Sequence, residues 1–451
     1  MRHWITALAL GISASAAQAA SLDQQQARAL AQEAYVFAYA TGEHNKVLSA
    51  IAAKLPFNVL YSEPRLFGPQ DNKVVLPNND TFYSRALLDL RGEPQVLQVP
   101  AVEGRYYSFQ LVDMRTDNLD YIGTRATGSQ AGRYLIAGPD WHGEVPAGFS
   151  AVIRSPSRVV FLLGRTEVKG EADQSLAAQV LKGYALQPLS RVLGTPAPTA
   201  LAKLQLPAYQ DSKQGRAVAL FSSFNSLAAL HQWTPTEQQK LARYEAIGVQ
   251  PGAAFTPPAE LDQAIAEGAD AGREQVRAAS SKVSVEQQGW FRSPSNVGKF
   301  GDDDLTRAAV AWRYIYANDP VEAVYPMALH DAQGHLLDGS NTYRLHFAAG
   351  QLPPVDAFWS LTLYDGKTQL LVANPLSRYA LGDRSPDLHY DTDGGLTLTL
   401  AKTAPTQTPQ SNWLPTPEGP FNLLLRLYLP QQRALDGSYQ LPTIEAVNGE
   451  G

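Results

Sequence analysis

The sequence contains no cysteine among its 451 residues. A chain without thiols cannot form disulfides, thiolate metal sites or cysteine nucleophiles. Its stability must therefore come from ordinary hydrophobic cores. With 44% hydrophobic residues, the chain is large enough to build such cores in roughly two or three domains.

Runs of lysine and arginine are also missing, and the formal net charge is −6. Nucleic acids and anionic membrane surfaces are bound largely through basic patches. The lack of such patches argues against both as partners. A small molecule or another protein remains, and nothing in the composition indicates an oligomeric state.

The sequence has no uninterrupted apolar stretch of about 18 residues, the length that a membrane-spanning helix needs. Its short apolar run, residues 4–12, follows a basic start and precedes the small residues Ala17 and Ala19. That pattern is typical of a secretory signal peptide. We therefore expect cleavage after Ala19, which removes residues 1–19 and leaves a periplasmic protein with no integral membrane segment.

Motifs for nucleotides, dinucleotides and serine hydrolases do not occur in a suitable context: there is no P-loop, dinucleotide fingerprint or nucleophile elbow. His330, His335 and His346 cluster in the sequence. Their spacing is not that of a recognised metal-binding motif. We therefore predict neither a metal nor a cofactor, and metal binding by these histidines stays an open alternative.

The most informative feature present is a repeat, in which residues 358–368 (FWSLTLYDGKT) follow the pattern of residues 106–116 (YYSFQLVDMRT) position for position. A shorter likeness precedes each copy, residues 80–85 against 341–344. Because side chains of a strand alternate between its faces, the repeat predicts matching buried stripes of Tyr107, Phe109 and Leu111 in one copy and Trp359, Leu361 and Leu363 in the other. We interpret the repeat as an internal duplication of a β unit.

Changes in the period of the hydrophobic pattern divide the rest of the chain into four segments. Residues 20–55 have helical spacing, and residues 56–170 contain short runs at period two between glycines and prolines. Residues 171–325 return to helical spacing, with a capping-box signature at Thr234, and residues 326–451 are β again. The predicted fold is mainly β with a helical insert (α+β): two antiparallel β-sandwich-like domains, related by duplication and packed with a helical segment.

Several motifs resemble those of a known pair of domains. In the N-terminal half, the stretches similar to the bacterial domain of unknown function 1254 are NNDTFYS (78–84), RYY (105–107), IGTRATG (122–128) and GPDW (138–141). In the C-terminal half, the stretches that resemble its usual companion, domain 1214, are DGSNTY (338–343), LPPVDAFWSL (352–361), NP (374–375), NWLP (412–415) and GPF (419–421). The resemblance implies a β-rich protein in two parts with a helical segment, and it brings no agreed activity or catalytic residues.

Asp113 and Asp365 end the two repeated strands and are the candidate catalytic residues. If both carboxylates pointed into a cleft between the repeats, they could act as acid and base in a metal-independent hydrolase or lyase, with support from arginine and tyrosine. The simpler alternative is that each aspartate caps its own turn by accepting a hydrogen bond from a following backbone N–H. The second role is the commoner one.

Polar and aromatic residues near the strand ends are the candidate ligand contacts. Loops at the rims of β-sandwiches commonly bind ligands, and guanidinium groups bind carboxylates through two hydrogen bonds. The candidates are Asn78, Asp80, Tyr83, Arg85, Arg115, Asn341 and Trp413. Structural turns, intramolecular ion pairs and burial in a core explain them equally well.

These observations favour a protein that binds a small polar or aromatic ligand in a cleft near the two β domains. The enzyme alternative predicts that Asp113 and Asp365 face a common cavity. A structural protein of the cell envelope would instead have a broad apolar surface patch and no cleft.

Overall fold

The computed structural model of the chain describes residues 22–207, 215–406 and 408–447. The expected signal peptide, with its cleavage point after Ala19, lies outside these residues. Within them, no helix combines the length and the apolar character that crossing a bilayer requires. The described residues form both helices and several β-sheets, which confirms the α+β class predicted from the sequence.

Eight α-helices and four short 3-10 helices form within the described residues. The α-helices are α1 (Gln24–Ala52), α2 (Gln174–Gly183), α3 (Leu189–Leu193), α4 (Arg216–Ala228), α5 (Pro235–Tyr244), α6 (Asp262–Ser280), α7 (Asp304–Tyr314) and α8 (Gln432–Leu435). The 3-10 helices are Glu171–Asp173, Glu245–Ile247, Ala259–Leu261 and Gln410–Asn412. The capping box predicted at Thr234 is confirmed at the start of α5, where the Thr234 hydroxyl accepts the Glu237 N–H.

Twenty β-strands complete the described secondary structure. They are β1 (Tyr61–Glu63), β2 (Thr81–Asp89), β3 (Gln95–Val99), β4 (Tyr107–Val112), β5 (Asn118–Gly123), β6 (Gly132–Ala137), β7 (Ala151–Arg154), β8 (Val159–Glu167), β9 (Ala185–Pro188), β10 (Val285–Gln287), β11 (Trp290–Arg292), β12 (Ala323–Val324), β13 (Met327–Ala328), β14 (Thr342–Phe347), β15 (Val355–Asp365), β16 (Ala380–Gly382), β17 (Leu396–Ala401), β18 (Trp413–Pro415), β19 (Phe421–Pro430) and β20 (Ile444–Val447). We call β1–β9 the first β unit and β10–β20 the second β unit.

The first β unit consists of two sheets that share one hydrophobic core. One sheet has the strand order β1-β2-β8-β4-β5, and the other has the order β7-β6-β3-β9. Alternate side chains of both sheets enter the core, among them Phe109 and Leu162 from the first and Leu97 and Ile136 from the second. The opposite face of the five-stranded sheet carries Phe161 and Arg165, and this face is turned away from that core.

The second β unit also consists of two sheets around one core. The larger sheet has the order β10-β11-β13-β19-β15-β16, with β12 paired beside β19, and the smaller has the order β18-β17-β14-β20. Leu361 and Leu425 enter the core from the larger sheet, and Leu345 and Leu398 enter it from the smaller sheet. All six residues of the two predicted stripes are buried in the cores of their units, as the alternation of β4 and β15 predicts.

Seven strands of each unit occur in the same order. The arrangement β8-β4-β5 corresponds to β19-β15-β16, and β7-β6-β3-β9 corresponds to β18-β17-β14-β20. Each smaller sheet contains one parallel pair, β6 with β7 and β17 with β18. In this correspondence β14 matches β3 and not β2, so the shorter sequence likeness between residues 80–85 and 341–344 joins strands that occupy different places in the sheets.

The residue register agrees with the strand order. Ser108 on β4 lies opposite Arg165 on β8, and Ser360 on β15 lies opposite Arg426 on β19. On their other sides the two serines lie opposite glycines, Gly123 and Gly382. A Cβ atom at either glycine would lie 2.2 Å from a carbonyl oxygen of the neighbouring strand, so only glycine fits there.

The helices form a separate layer that reaches the space between the two β units. Helix α1 is one continuous helix within residues 20–55, where the sequence predicted helical structure, and it packs against α4, α6 and α7. Its buried face is rich in alanine, so the helices can approach closely. Helix α7 ends at Tyr314, and the chain then returns to the second β unit at β12.

Two boundaries differ from those expected. β9 lies beyond residue 170 yet pairs with β3, because it completes the smaller sheet of the first unit. β10 and β11 lie before residue 326 yet belong to the larger sheet of the second unit. Both segments are short, and pairing with distant strands, rather than their own hydrophobic period, makes them β.

Candidate functional site

A cavity of about 390 Å³ lies between the larger sheets of the two β units. We call it the central cavity. Tyr83 and Arg165 line it from the first unit, and Phe291, Met327, Leu424, Arg426 and Tyr428 line it from the second. The end of α7, with the residues that follow it, forms a third wall. The described residues that line this cavity include three arginines, Arg165, Arg313 and Arg426, and no aspartate or glutamate.

Arg165 reaches the cavity because it lies on the outer face of β8. Its guanidinium Nη1 donates to Gln110 Oε1 at 2.8 Å and to Asn318 Oδ1 at 3.2 Å. The guanidinium also lies 5.9 Å from the centre of the Tyr83 ring. Only 6% of Arg165 is exposed, so its charge is largely removed from bulk water.

Arg426 occupies the corresponding position on β19 and is 3% exposed. Its Nη1 donates to Thr362 Oγ1 at 2.8 Å, and its Nη2 donates to the Tyr364 hydroxyl at 2.6 Å. A longer bond of 3.1 Å joins Nη2 to the Leu76 carbonyl oxygen. The partners that hold Arg426 are thus uncharged.

Neither arginine forms an ion pair with any residue that the structure describes. The buried acids nearby are taken by other arginines. Asp80 Oδ1 lies 2.5 Å from Arg384 Nη2, while its Oδ2 accepts from the Ser360 hydroxyl at 2.7 Å. Glu322 accepts from Arg125 Nε at 2.6 Å. Arg165 and Arg426 are therefore held by neutral groups alone.

Tyrosine hydroxyls lie beside the two arginines. Tyr325 OH accepts from Asn318 Nδ2 at 2.5 Å, and Tyr428 OH accepts from Asn78 Nδ2 at 2.9 Å. Burial raises the pKa of Tyr325, although Arg165 and Arg426 both act in the opposite direction. Burial also raises the pKa of Tyr428. Both phenols are therefore neutral at pH 7, and each keeps an O–H that can donate to a ligand.

Two of the predicted ligand contacts, Asn78 and Tyr83, line the central cavity. Asn78 also connects the two units, because its side chain donates both to Thr81 and to Tyr428. Asp80 is buried close by but is not a lining residue, and its carboxylate joins the first unit to Ser360 and Arg384 of the second.

The other four predicted ligand contacts lie elsewhere. Arg85 is half-buried, 3.6 Å from Glu63 and over the Tyr61 ring. Arg115 is buried among helices and pairs with Glu237 and Asp304. Asn341 and Trp413 belong to the far sheet of the second unit, where Trp413 Nε1 donates to the Ala401 carbonyl oxygen at 2.8 Å. The structure therefore does not bring all seven residues to the central cavity, because their strands face different layers, and ligand contact by these four residues stays a prediction.

Asp113 and Asp365 make the hydrogen bonds of turn caps. Asp113 Oδ1 accepts from the backbone N–H of Arg115 at 2.8 Å and of Asp117 at 2.9 Å. Asp365 Oδ1 accepts from the N–H of Lys367 at 3.0 Å and of Thr368 at 2.7 Å. Neither residue lines the central cavity. The structure does not bring the two carboxylates together there, and a catalytic role for them stays a prediction.

The histidines of the C-terminal half are spread over different contacts. His335 lies 3.4 Å from Asp331, and His346 lies 3.6 Å from Asp391. In the part of the chain that the structure describes, no group of three or more histidine, aspartate or glutamate side chains has the geometry to hold a metal ion.

Sequence reasoning missed Arg165 and Arg426, although a signal for them exists. Each arginine interrupts an apolar run, after Phe161-Leu162-Leu163-Gly164 in one copy and after Leu423-Leu424-Leu425 in the other. A charged residue in the middle of a strand with two buried faces needs a partner or a function. Extending the repeat to these strands would have aligned the two arginines.

Comparisons with known proteins agree with this two-part architecture. The family model described as "Protein of unknown function (DUF1254)" matches residues 57–188, and the one described as "Protein of unknown function (DUF1214)" matches residues 322–432. No curated protein matches the chain.

Two solved structures are similar to this chain. The crystal structure of the VPA0106 protein from Vibrio parahaemolyticus superimposes with a TM-score of 0.76 at 27% identity, over 94% of this chain and 100% of that one. A putative uncharacterized protein from Burkholderia cenocepacia has a TM-score of 0.45 and 14% identity, over 92% and 88% of the two chains. The family matches confirm the resemblance of both halves, and the chain therefore belongs to the proteins that carry a DUF1254 domain followed by a DUF1214 domain.

Proposed function

We propose that this protein binds a small organic ligand in the central cavity between its two β units. The observation that supports the proposal most strongly is the cavity itself, about 390 Å³ in volume and lined by aromatic side chains and two buried arginines. Sites for small molecules are concave, mostly apolar and contain a few convergent polar groups, with volumes of roughly 300–1,000 Å³. The central cavity has each of these properties.

The apolar walls suit a ligand with a flat or aliphatic body. Trp312 and Ile315 line the helical side, and Met327 and Leu424 line the side of the second unit. Aromatic and thioether side chains pack well against flat ligands. The polar groups Asn78, Arg165 and Arg426 lie on the same cavity, so a ligand with both an apolar body and a polar group fits best.

Blocking the central cavity with a bulky side chain tests this proposal. Ser293 lines the central cavity and is half-buried, so Ser293→Trp should place an indole in the ligand space. Ser281→Trp is the matched control, because Ser281 is exposed just after α6. Melting temperatures would be measured with phenol, benzamide, benzoate and a panel of small aromatic and aliphatic compounds.

We expect at least one compound to raise the melting temperature of the wild type and of Ser281→Trp by several degrees, because a ligand present at about 100 times its Kd adds about 2.7 kcal/mol of stability. Ser293→Trp should show no rise with that compound. The proposal fails if no compound acts on the wild type, or if the blocked variant responds as the wild type does.

We also infer that the two β units are sandwich-like copies of one ancestral unit. The supporting observations are the shared order of seven strands and the matching register of Ser108 with Arg165 and Ser360 with Arg426. In an experimental structure, the two sets of seven strands should superimpose with these arginines at equivalent positions. A superposition that shifts one set by a residue would contradict the inference, since a shift by one turns every side chain to the other face.

Export to the periplasm is part of the same proposal and rests on the signal-like composition of residues 1–19. Location in the periplasm would give the protein access to small molecules that enter from outside the cell. Mass spectrometry of the protein recovered from a periplasmic fraction should identify Ala20 as its first residue. Intact Met1 in that fraction, or a protein confined to the cytoplasm, would refute this.

A further inference from the structure

We infer that the ligand of the central cavity is an organic carboxylate, held by the two corresponding arginines Arg165 and Arg426. This inference rests on the proposed function and adds the chemical class of the ligand. The volume of the cavity does not select this class, because a neutral compound of the same size would fit equally well. The charges and hydrogen-bond donors of the lining carry the argument.

The charge of the lining is the first argument. The lining residues that the structure describes carry arginine at positions 165, 313 and 426 and no acidic side chain. Moving a guanidinium out of water costs several kcal/mol unless a counter-charge is supplied. Buried arginines are therefore normally paired with acids, and Arg165 and Arg426 are held by neutral oxygens alone. An anionic ligand would supply the missing counter-charge.

No local acid forms a described ion pair with Arg165 or Arg426, although Tyr364, Tyr428 and the charge of Asp80 raise the pKa of Arg426 against the effect of burial. Asp80 is paired with Arg384, and Glu322 is paired with Arg125. Glu167 accepts the backbone N–H of Tyr106 at 2.9 Å and lies 3.9 Å from Arg384 Nε. Each acid on this side of the cavity is thus occupied by a donor other than Arg165 or Arg426.

The remaining hydrogen-bond donors are the second argument. A guanidinium carries five N–H groups in a planar fork that matches the two oxygens of a carboxylate. Among the described residues, Arg165 donates only through Nη1, which leaves its Nη2 and Nε available. Tyr325 and Tyr428 add neutral O–H donors beside it. The fork of Arg165 can therefore bind a carboxylate through two hydrogen bonds.

The correspondence between the two units is the third argument. Arg165 and Arg426 lie opposite equivalent serines in their sheets, and both lie on the sheet face away from the core of their own unit. Neither arginine is needed to fill that core. Two copies of one surface position that meet across a single cavity form a site that neither unit contains alone.

The test compares each carboxylate with its primary amide, starting with benzoate and benzamide, by calorimetry on the wild type. Benzoate should bind at least tenfold more tightly than benzamide. Arg165→Gln and Arg426→Gln should each weaken benzoate binding by tenfold or more and change benzamide binding by less than about threefold, because hydrogen bonds between charged groups are stronger than those to a neutral amide. Arg165→Lys keeps the charge without the fork, so its loss should be intermediate.

Arg307→Gln is the matched control, since Arg307 is as deeply buried but pairs with Asp117, and neither residue lines the central cavity. It should lower the melting temperature and leave benzoate affinity unchanged. Melting curves of all variants show whether each one is folded at the temperature of the titration.

The possible outcomes separate this inference from the proposed function. If amides bind as tightly as carboxylates, and Ser293→Trp abolishes both, the cavity binds ligands but the assignment of a carboxylate is wrong. If inorganic phosphate binds and no carboxylate of the panel does, the anion is a phosphate and the assignment is also wrong. If nothing binds at all, the proposed function fails together with the inference.

Discussion

Four arginines are almost completely buried in the described part of this protein, and they occupy two contrasting regions. Arg115 and Arg307 lie between the first β unit and the helices, where Arg115 pairs with Glu237 and Asp304 and Arg307 pairs with Asp117. Arg165 and Arg426 lie on the central cavity and have only neutral partners. The first region contains the ion pairs that join layers of the fold, and the second contains two cations without an ion pair to any described acid.

The contrast explains why burial by itself is a poor guide to function. Arg115 follows β4, Arg165 lies near the end of the neighbouring strand β8, and both are buried. Of the two, Arg115 is the one that the sequence predicted as a ligand contact. Its carboxylate partners and its contact with the Phe37 ring, 4.1 Å from its guanidinium carbon, show a structural role. The number of charged partners distinguishes the two pairs of arginines, whereas burial does not.

The largest loss of stability is expected when a paired arginine is replaced. Arg115→Met would leave Asp304 and Glu237 without this partner and would also remove the donor to the Phe37 carbonyl oxygen. Breaking a buried ion pair in this way typically costs about 3–5 kcal/mol. Urea denaturation should show that loss in the free energy of unfolding. A change below about 1 kcal/mol would mean that the helical region does not depend on this arginine.

The next largest expected effect is a dependence of stability on pH, caused by Asp113 in the same region. Burial raises the pKa of Asp113 from its usual value of about 4 to about 7, and the charge of Asp117 adds to the rise. Because the folded-state pKa lies above the unfolded one, the folded state binds the proton more tightly. This contribution to stability is fully present below about pH 4 and is lost as the pH rises to about 7.

Asp113→Asn should therefore become more stable relative to the wild type as the pH rises from 4 to 8. Asparagine keeps an oxygen that can accept the backbone N–H of Arg115 and Asp117, so the cap survives. The gain should reach at least about 1.4 kcal/mol, the equivalent of one pKa unit. Denaturation curves at both pH values measure it, and a difference that does not vary with pH would contradict a raised pKa.

A smaller effect is expected when an unpaired arginine is replaced. Arg165→Gln removes a buried charge that has no described acid as its partner, which favours folding, and it weakens the bonds to Gln110 and Asn318, which opposes folding. The two effects should cancel to within about 1 kcal/mol. If Arg165→Gln destabilised the protein as strongly as Arg115→Met, the difference between the two regions would disappear.

The smallest effect is expected at Arg85, another residue that the sequence predicted to contact a ligand. Its side chain is half-exposed, and its contacts are Glu63 at 3.6 Å and the ring of Tyr61. Partly exposed pairs of this kind contribute about 0.2–1 kcal/mol. Arg85→Ala should lower the free energy of unfolding by no more than that and should leave benzoate binding unchanged. Weaker binding in this variant would extend the site along β2 beyond Tyr83.

Much of the fold could be predicted from the sequence because its signals are local. The alternation in residues 106–116 and 358–368 correctly predicts β4 and β15 with their buried stripes. The Thr234 capping box marks the start of α5. The short strands β9, β10 and β11 could not be predicted in this way, because they pair with strands far along the chain.

The sequence by itself determined the α+β class, the long alternating strands, the capped helices and the presence of arginines within two apolar runs. Periodicity and capping depend on neighbours within a few residues, so they can be read along the chain. Only the tertiary structure decided which arginines have acid partners. Asp304 reaches Arg115 from α7, whereas Arg165 and Arg426, from opposite halves of the chain, line one cavity without an acid. Electrostatic partners are set by distances of a few ångströms in space, and separation along the sequence does not encode those distances.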